Sequence, residues 1–161
     1  MPFLSEADQD QLKALFAEQL GSHVRLRVLT RPRSKLYVPG QQLCASCGEA
    51  EPFVRELATL SDKLEVVVHD VQAEPTVAEQ YRVDGALPVI LVEPVAQNDA
   101  SVSTLSGAVR FLGLPAGYEF STLVADLVDV SKARVDLSEA TQAELRALDQ
   151  DLHLQVFVTP T

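Results

Sequence analysis

Two short apolar runs, Leu64-Glu-Val-Val-Val-His69 and Leu87-Pro-Val-Ile-Leu-Val92, constrain the fold most tightly. Each is rich in β-branched residues, too short for a buried helix and too uniformly apolar for a strand with one wet face. They predict strands within a layered domain, with Leu64–His69 at the centre of its sheet. A third run, Val24-Arg-Leu-Arg-Val-Leu29, alternates with period two and predicts a strand with one polar side.

Helical patterns separate these runs. Ser5 followed by Asp8 resembles a capping box, Leu12, Leu15, Phe16 and Leu20 recur at helical spacing, and Gly21 predicts the stop. Residues 30–43 carry Pro32, Pro39 and Gly40 beside Arg31, Arg33 and Lys35, and read as a loop. A second helix is expected to start at or just before Cys44, to bury Phe53, Val54, Leu57 and Leu60, and to kink at Pro52. Pro75 opens a short helix running to about Tyr81. Residues 93–104 read as a polar turn and 105–112 as a strand. Gly113–Gly117 turns the chain into a helix marked by Leu123, Val124, Leu127 and Val128. A β-α-β half followed by a β-β-α half, with an extra N-terminal helix, is the order of the α/β thioredoxin-like fold. Residues 136–148 then predict a further helix capped by Ser138, and 152–161 a last strand.

Composition removes several function classes. The 161 residues carry 23 acidic groups against 13 basic ones, a formal charge of −10, which disfavours non-specific binding to nucleic acid or an anionic membrane. No apolar run reaches the length of a membrane span, and the opening MPFLSEADQDQ lacks the basic and apolar regions of a secretory signal. The chain is therefore read as cytoplasmic.

Both cysteines fall in one C-x-x-C, Cys44-Ala-Ser-Cys47. At a loop-to-helix junction this spacing brings two sulfurs within disulfide range. Helix N-terminal N–H groups favour a thiolate on the first cysteine, while the second sits deeper. Cys44 is thus the candidate nucleophile and Cys47 the resolving thiol. Arg31, Arg33 and Lys35 would add positive potential if the loop folds back. Two bland alternatives stand beside the redox reading. The pair is either two ordinary buried cysteines or half of a zinc or iron–sulfur site shared across a dimer, because His23, His69 and His153 lack ligand spacing.

Cys44–Cys47, the run Tyr81–Pro88, Arg110-Phe-Leu-Gly-Leu-Pro-Ala-Gly-Tyr-Glu-Phe120 and Leu127-Val-Asp-Val-Ser131 resemble the N-terminal unit of the glutaredoxin-like protein disulfide oxidoreductases. The N-terminal domain of the alkyl hydroperoxide reductase flavoprotein subunit is similar in architecture. The resemblance runs over nearly the whole chain. It implies thiol–disulfide exchange with protein substrates, electron transfer in cell redox homeostasis and a thioredoxin-reductase-type reductant. It implies no cofactor beyond a redox-active Cys44–Cys47 disulfide and no resident metal. It also places a cis proline at Pro88, with the Leu87 backbone facing Cys44 and ready to pair with an extended substrate.

Three departures from that family stand out. The loop over about 33–43 is long. The residues between the cysteines are Ala45 and Ser46. No carboxylate lies on the strand before the loop, so proton transfer to and from Cys47 would fall to Glu49, Asp70 or water. The resemblance divides the chain into a thioredoxin-like domain at 1–135, then a linker helix and the first strand of an incomplete second unit at 136–161. The apolar strand left over would either close the sheet of the first unit or pair with that of a second copy, giving a homodimer. The alternatives to an oxidoreductase are a redox-weakened binding module on the same scaffold and metal or cluster binding across a dimer.

Overall fold

The computed structural model describes residues 2–31, 44–83, 85–95, 109–133, 137–150 and 152–157. Helix α1 (Glu6–Gln19) starts where the sequence predicts, with the Ser5 hydroxyl accepting the Asp8 N–H. Such a cap is worth about 1 kcal/mol. Strand β1 (Val24–Thr30) follows, then α2 (Cys47–Ala58), β2 (Leu64–Asp70), α3 (Pro75–Gln80), β3 (Val89–Pro94), β4 (Val109–Leu112) and α4 (Tyr118–Lys132). A fifth helix, α5 (Glu139–Arg146), is capped by Ser138 as expected and buries no side chain.

The four strands form one sheet in the order β2-β1-β3-β4. β1 and β2 run parallel with Val24 opposite Leu64, whereas β3 is antiparallel to both β1 and β4. The β-α-β and β-β-α halves are therefore as predicted. Of the strand expected over 105–112, residues 105–108 lie outside the described residues.

Helices α1, α2 and α4 cover one face. Phe16, Val54, Leu57, Leu123 and Leu127 close over Val24, Leu26, Val28, Ile90 and Val92, and all of these are fully buried. Full burial of one such side chain contributes about 1.5–3 kcal/mol. The opposite face carries the other alternation, with Leu29, Val89 and Leu91 packed under Tyr81 and the short α3.

Several expectations need correction. The apolar run Leu64–His69 lies on an edge strand, not at the centre, and past Leu64 its residues are only half-buried. The alternating run Val24–Leu29 is the interior strand, where Arg27 is buried against Glu93 and Arg25 is half-buried against Glu65. α2 begins at Cys47, three residues later than expected, so Cys44 stands in the turn before the helix. Gly21 does not end α1 by adopting a left-handed conformation, because Leu20 already caps the helix in extended backbone. Gly21 is there for close approach, since a Cβ on it would sit 3.1 Å from the Ser131 carbonyl oxygen. Finally, residues 152–157 form no strand. Nothing among the described residues pairs with them, and Leu154, Val156 and Phe157 are over four-fifths exposed. The rest of that predicted strand, 158–161, lies outside the described residues.

Candidate functional site

The two cysteines meet in front of α2. Cys44 and Cys47 are joined by a disulfide across a Cα–Cα distance of 5.5 Å. Their exposure differs as their spacing predicts. Cys47, the first residue of α2, is buried at 4%, while Cys44 is half-buried beside exposed Ala45. The disulfide thus ties the Cys44 sulfur to the first residue of α2, at the end of the helix where unpaired N–H groups gather.

The other wall of the site comes from the loop before β3. The Leu87–Pro88 peptide bond is cis, and the Leu87 carbonyl oxygen lies 3.2 Å from Cys44 Sγ. A disulfide sulfur carries no proton, so in the oxidised state this is a contact. In the dithiol state the Cys44 S–H has an acceptor already in place. The wall is fixed from two sides. Gly113 N–H donates to the Pro88 carbonyl at 2.8 Å, and Gly113 has φ +110°, a backbone that favours glycine. Arg110 on β4 donates to the carbonyls of Tyr81 and Arg82 at 2.5 and 3.2 Å. It thereby satisfies the C-terminal end of α3 and anchors the chain that leads to Pro88. The sequence pattern contained both residues within one motif but gave no sign of what either holds.

Behind the disulfide, an open cleft of about 440 Å³ reaches Cys47. Thr30, Arg31, Gly48, Glu51, Pro52, Arg55 and Asp70 are among the residues that line it. The buried Thr30 hydroxyl donates to the Cys47 carbonyl at 3.1 Å, tying the end of β1 to the start of α2. Of the acids expected near Cys47, Asp70 lines this cleft, whereas Glu49 is exposed on the first turn of α2. Arg31 also lines the cleft, while Arg33 and Lys35 lie outside the described residues. Thr30 was missed from sequence. Its only signal is a hydroxyl at the end of a strand that elsewhere ends in apolar and basic side chains.

The sheet face away from the three helices holds a chain of buried charge. Arg27 Nε donates to both oxygens of Glu93, at 3.3 and 3.1 Å. Both side chains are at least nine-tenths buried, and the guanidinium stacks over the Tyr81 ring at 4.8 Å. Arg27 Nη1 lies 2.7 Å from His69 Nε2. A guanidinium only donates, so Nε2 accepts and the ring proton sits on Nδ1, which donates to Glu74 at 2.8 Å. Burial, reinforced by the Glu93 charge and opposed by Arg27, raises the Tyr81 hydroxyl above its ordinary value of 10.0.

This architecture has solved counterparts. A protein disulfide oxidoreductase from Aeropyrum pernix K1 is similar over 92% of this chain and 56% of that one, with TM-score 0.69 and 21% identity. The fold is thioredoxin-like. A mutant of the alkylhydroperoxide reductase AhpF from Enterococcus faecalis V583 is similar over 91% of this chain and 61% of its own, with TM-score 0.70 and 23% identity. The NTD_N/C domain of that reductase gives TM-score 0.70 and 22% identity, over 92% of this chain and 62% of the domain. The chain thus spans 56–62% of the length of these proteins. No family model matches the chain, and no curated protein does. Among the described residues, no group of three or more His, Cys, Asp or Glu is placed to hold a metal ion, and no helix is long and apolar enough to cross a membrane.

Proposed function

We propose that this chain is a thiol–disulfide oxidoreductase acting on protein disulfides through Cys44 and Cys47. One observation carries the reading. The two cysteines form a disulfide between a helix N-terminus and a cis-proline wall, with one sulfur accessible and the other shielded. In the reduced protein, the Cys44 thiolate attacks one sulfur of a substrate disulfide. That bond breaks, a substrate thiolate leaves, and a Cys44–substrate mixed disulfide remains. Cys47 then attacks Cys44 Sγ, the second substrate thiol is released, and two electrons have passed from the dithiol to the substrate. The backbone at Ala86 and Leu87, exposed and half-buried respectively, offers an extended substrate segment a strand to pair with. The reductant in this reading is a thioredoxin-reductase-type flavoprotein, and the setting is cytoplasmic.

Insulin reduction with dithiothreitol tests the proposal. Catalysed precipitation is expected from the native chain and none from Cys44→Ser. Cys47→Ser is expected to accumulate a mixed disulfide visible by intact mass. Equal rates with and without the native protein would refute the reading.

A further inference from the structure

A client segment that pairs with the backbone before Pro88 binds well only if that backbone is already in place, because ordering a loop at the moment of binding costs affinity. Resting on the exchange reading above, we infer that Arg110 is a positioning residue for this client-binding backbone. It fixes the start of the segment that runs from Tyr81 to Pro88, and so sets affinity for protein disulfides without acting on either sulfur.

The inference starts from strand register. β4 runs antiparallel to β3, with Arg110 opposite Leu91 and Leu112 opposite Val89. Paired residues share a face, so the Arg110 side chain stands on the side where Leu91 and Val89 pack with Tyr81. There it donates to two successive carbonyls, Tyr81 at 2.5 Å and Arg82 at 3.2 Å. Just past the same strand, the Gly113 N–H holds the Pro88 carbonyl. The segment is thus held at both ends from β4, with Gly85 and Ala86 exposed between them.

The start of the segment needs holding. There α3 ends in a left-handed turn. Arg82 has φ +49°, and the Val83 N–H reaches back to the Ala78 carbonyl at 2.9 Å. Glycine adopts that conformation freely, whereas a residue with a Cβ keeps it only where its surroundings over-determine it. Arg110 does so by taking the Arg82 carbonyl together with the one before it. The post it grips is firmly seated, since Tyr81 is buried with the Arg27 guanidinium 4.8 Å over its ring. A guanidinium suits the task because its donors form a rigid planar fork, whereas lysine offers a single point charge.

This hold is separable from the sulfur chemistry. Cys44 Sγ meets the wall at the Leu87 carbonyl, next to the end that Gly113 fixes. Loosening the Arg110 end therefore spares the surroundings of Cys44 while freeing the backbone upstream.

Insulin reduction at varied insulin concentration, beside stopped-flow reaction of the reduced protein with 5,5′-dithiobis(2-nitrobenzoate), separates the two. The small disulfide reports the Cys44 thiolate and needs no backbone to pair with. Arg110→Met is expected to raise the KM for insulin about fivefold or more with kcat within about twofold, the pattern of lost uniform binding. The first phase with the small disulfide should stay within about twofold of native. Amide hydrogen exchange at Arg82 and Val83, whose N–H groups bond back to α3, should quicken while that at Leu26 and Val92 holds. A general loss of stability would not divide the molecule in that way. Arg110→Lys keeps the charge without the fork and should show the same rise in KM. In folded Arg110→Met, an unchanged KM, unchanged exchange at Val83, or a loss carried by kcat or by the small-disulfide phase overturns the inference. An unchanged KM in Arg110→Lys overturns it even where Arg110→Met does not fold. Absence of insulin reduction by the native protein would instead refute thiol exchange itself.

Discussion

The two faces of the sheet solve the burial of the same strands by opposite means. Under α1, α2 and α4, β1 presents Val24, Leu26 and Val28 to a wholly apolar layer. On the reverse, one residue along, it presents Arg25 and Arg27. Arg27 is nearly as inaccessible as the valines because Glu93, His69 and Tyr81 receive it. The apolar face gains by removing surface from water and tolerates any well-shaped filling. The ionic face holds charge out of water only while every partner is present.

The largest expected effect comes from breaking that pairing on one side. Glu93→Leu leaves Arg27 buried without its carboxylate and is expected to cost about 3–5 kcal/mol in denaturant unfolding. Leu26→Ala, on the apolar face of the same strand, is expected to cost about 2–5 kcal/mol, set by how far the helices collapse onto the gap. The double change Arg27→Met with Glu93→Leu sharpens the contrast. With both charges gone it should fall within about 1 kcal/mol of the native protein or exceed it. A double variant as damaged as Glu93→Leu alone would show that the ionic face works through shape and not through charge.

The smallest effect tests a charge in the helical layer that has no ion-pair partner among the described residues. Burial, reinforced by Asp129, raises the Asp126 carboxyl above its ordinary 3.8. A carboxyl raised by folding is protonated in both states at low pH, and its penalty appears as pH rises through the folded value. Asp126→Asn should therefore unfold at slightly higher temperature than the native chain at pH 7. The gap should close below about pH 4, which thermal melts at both pH values would check.

The same contrast explains what the sequence disclosed. The Cys44–Cys47 bond was legible because its signal is a local spacing, and the cis bond at Pro88 through the resemblance carried by Tyr81–Pro88. The layer of Phe53, Val54, Leu57, Leu123 and Leu127 was legible from helical period. What failed depends on distant partners. An arginine-bearing strand looks like an outer one until Glu93, 66 residues on from Arg27, is known to meet it. Leu64–His69 looks interior because both its faces are partly covered, and composition does not report which strand has a neighbour on each side. Thr30 and Asp70 share a cleft only through strand register, which no spacing in the chain announces. The late start of α2 belongs to the same class, since the turn at Cys44 is shaped by its bond to Cys47.

The arginines of β1 have a consequence during synthesis. β1 leaves the ribosome before either strand that will flank it. Glu65 follows Arg25 by 40 residues and Glu93 follows Arg27 by 66. At roughly 5–20 residues per second, the nascent strand waits seconds with both edges open. An all-valine strand in that position would be a template for intermolecular pairing. Two positive charges on alternate residues act as gatekeepers over that interval and are neutralised only when the correct neighbours arrive.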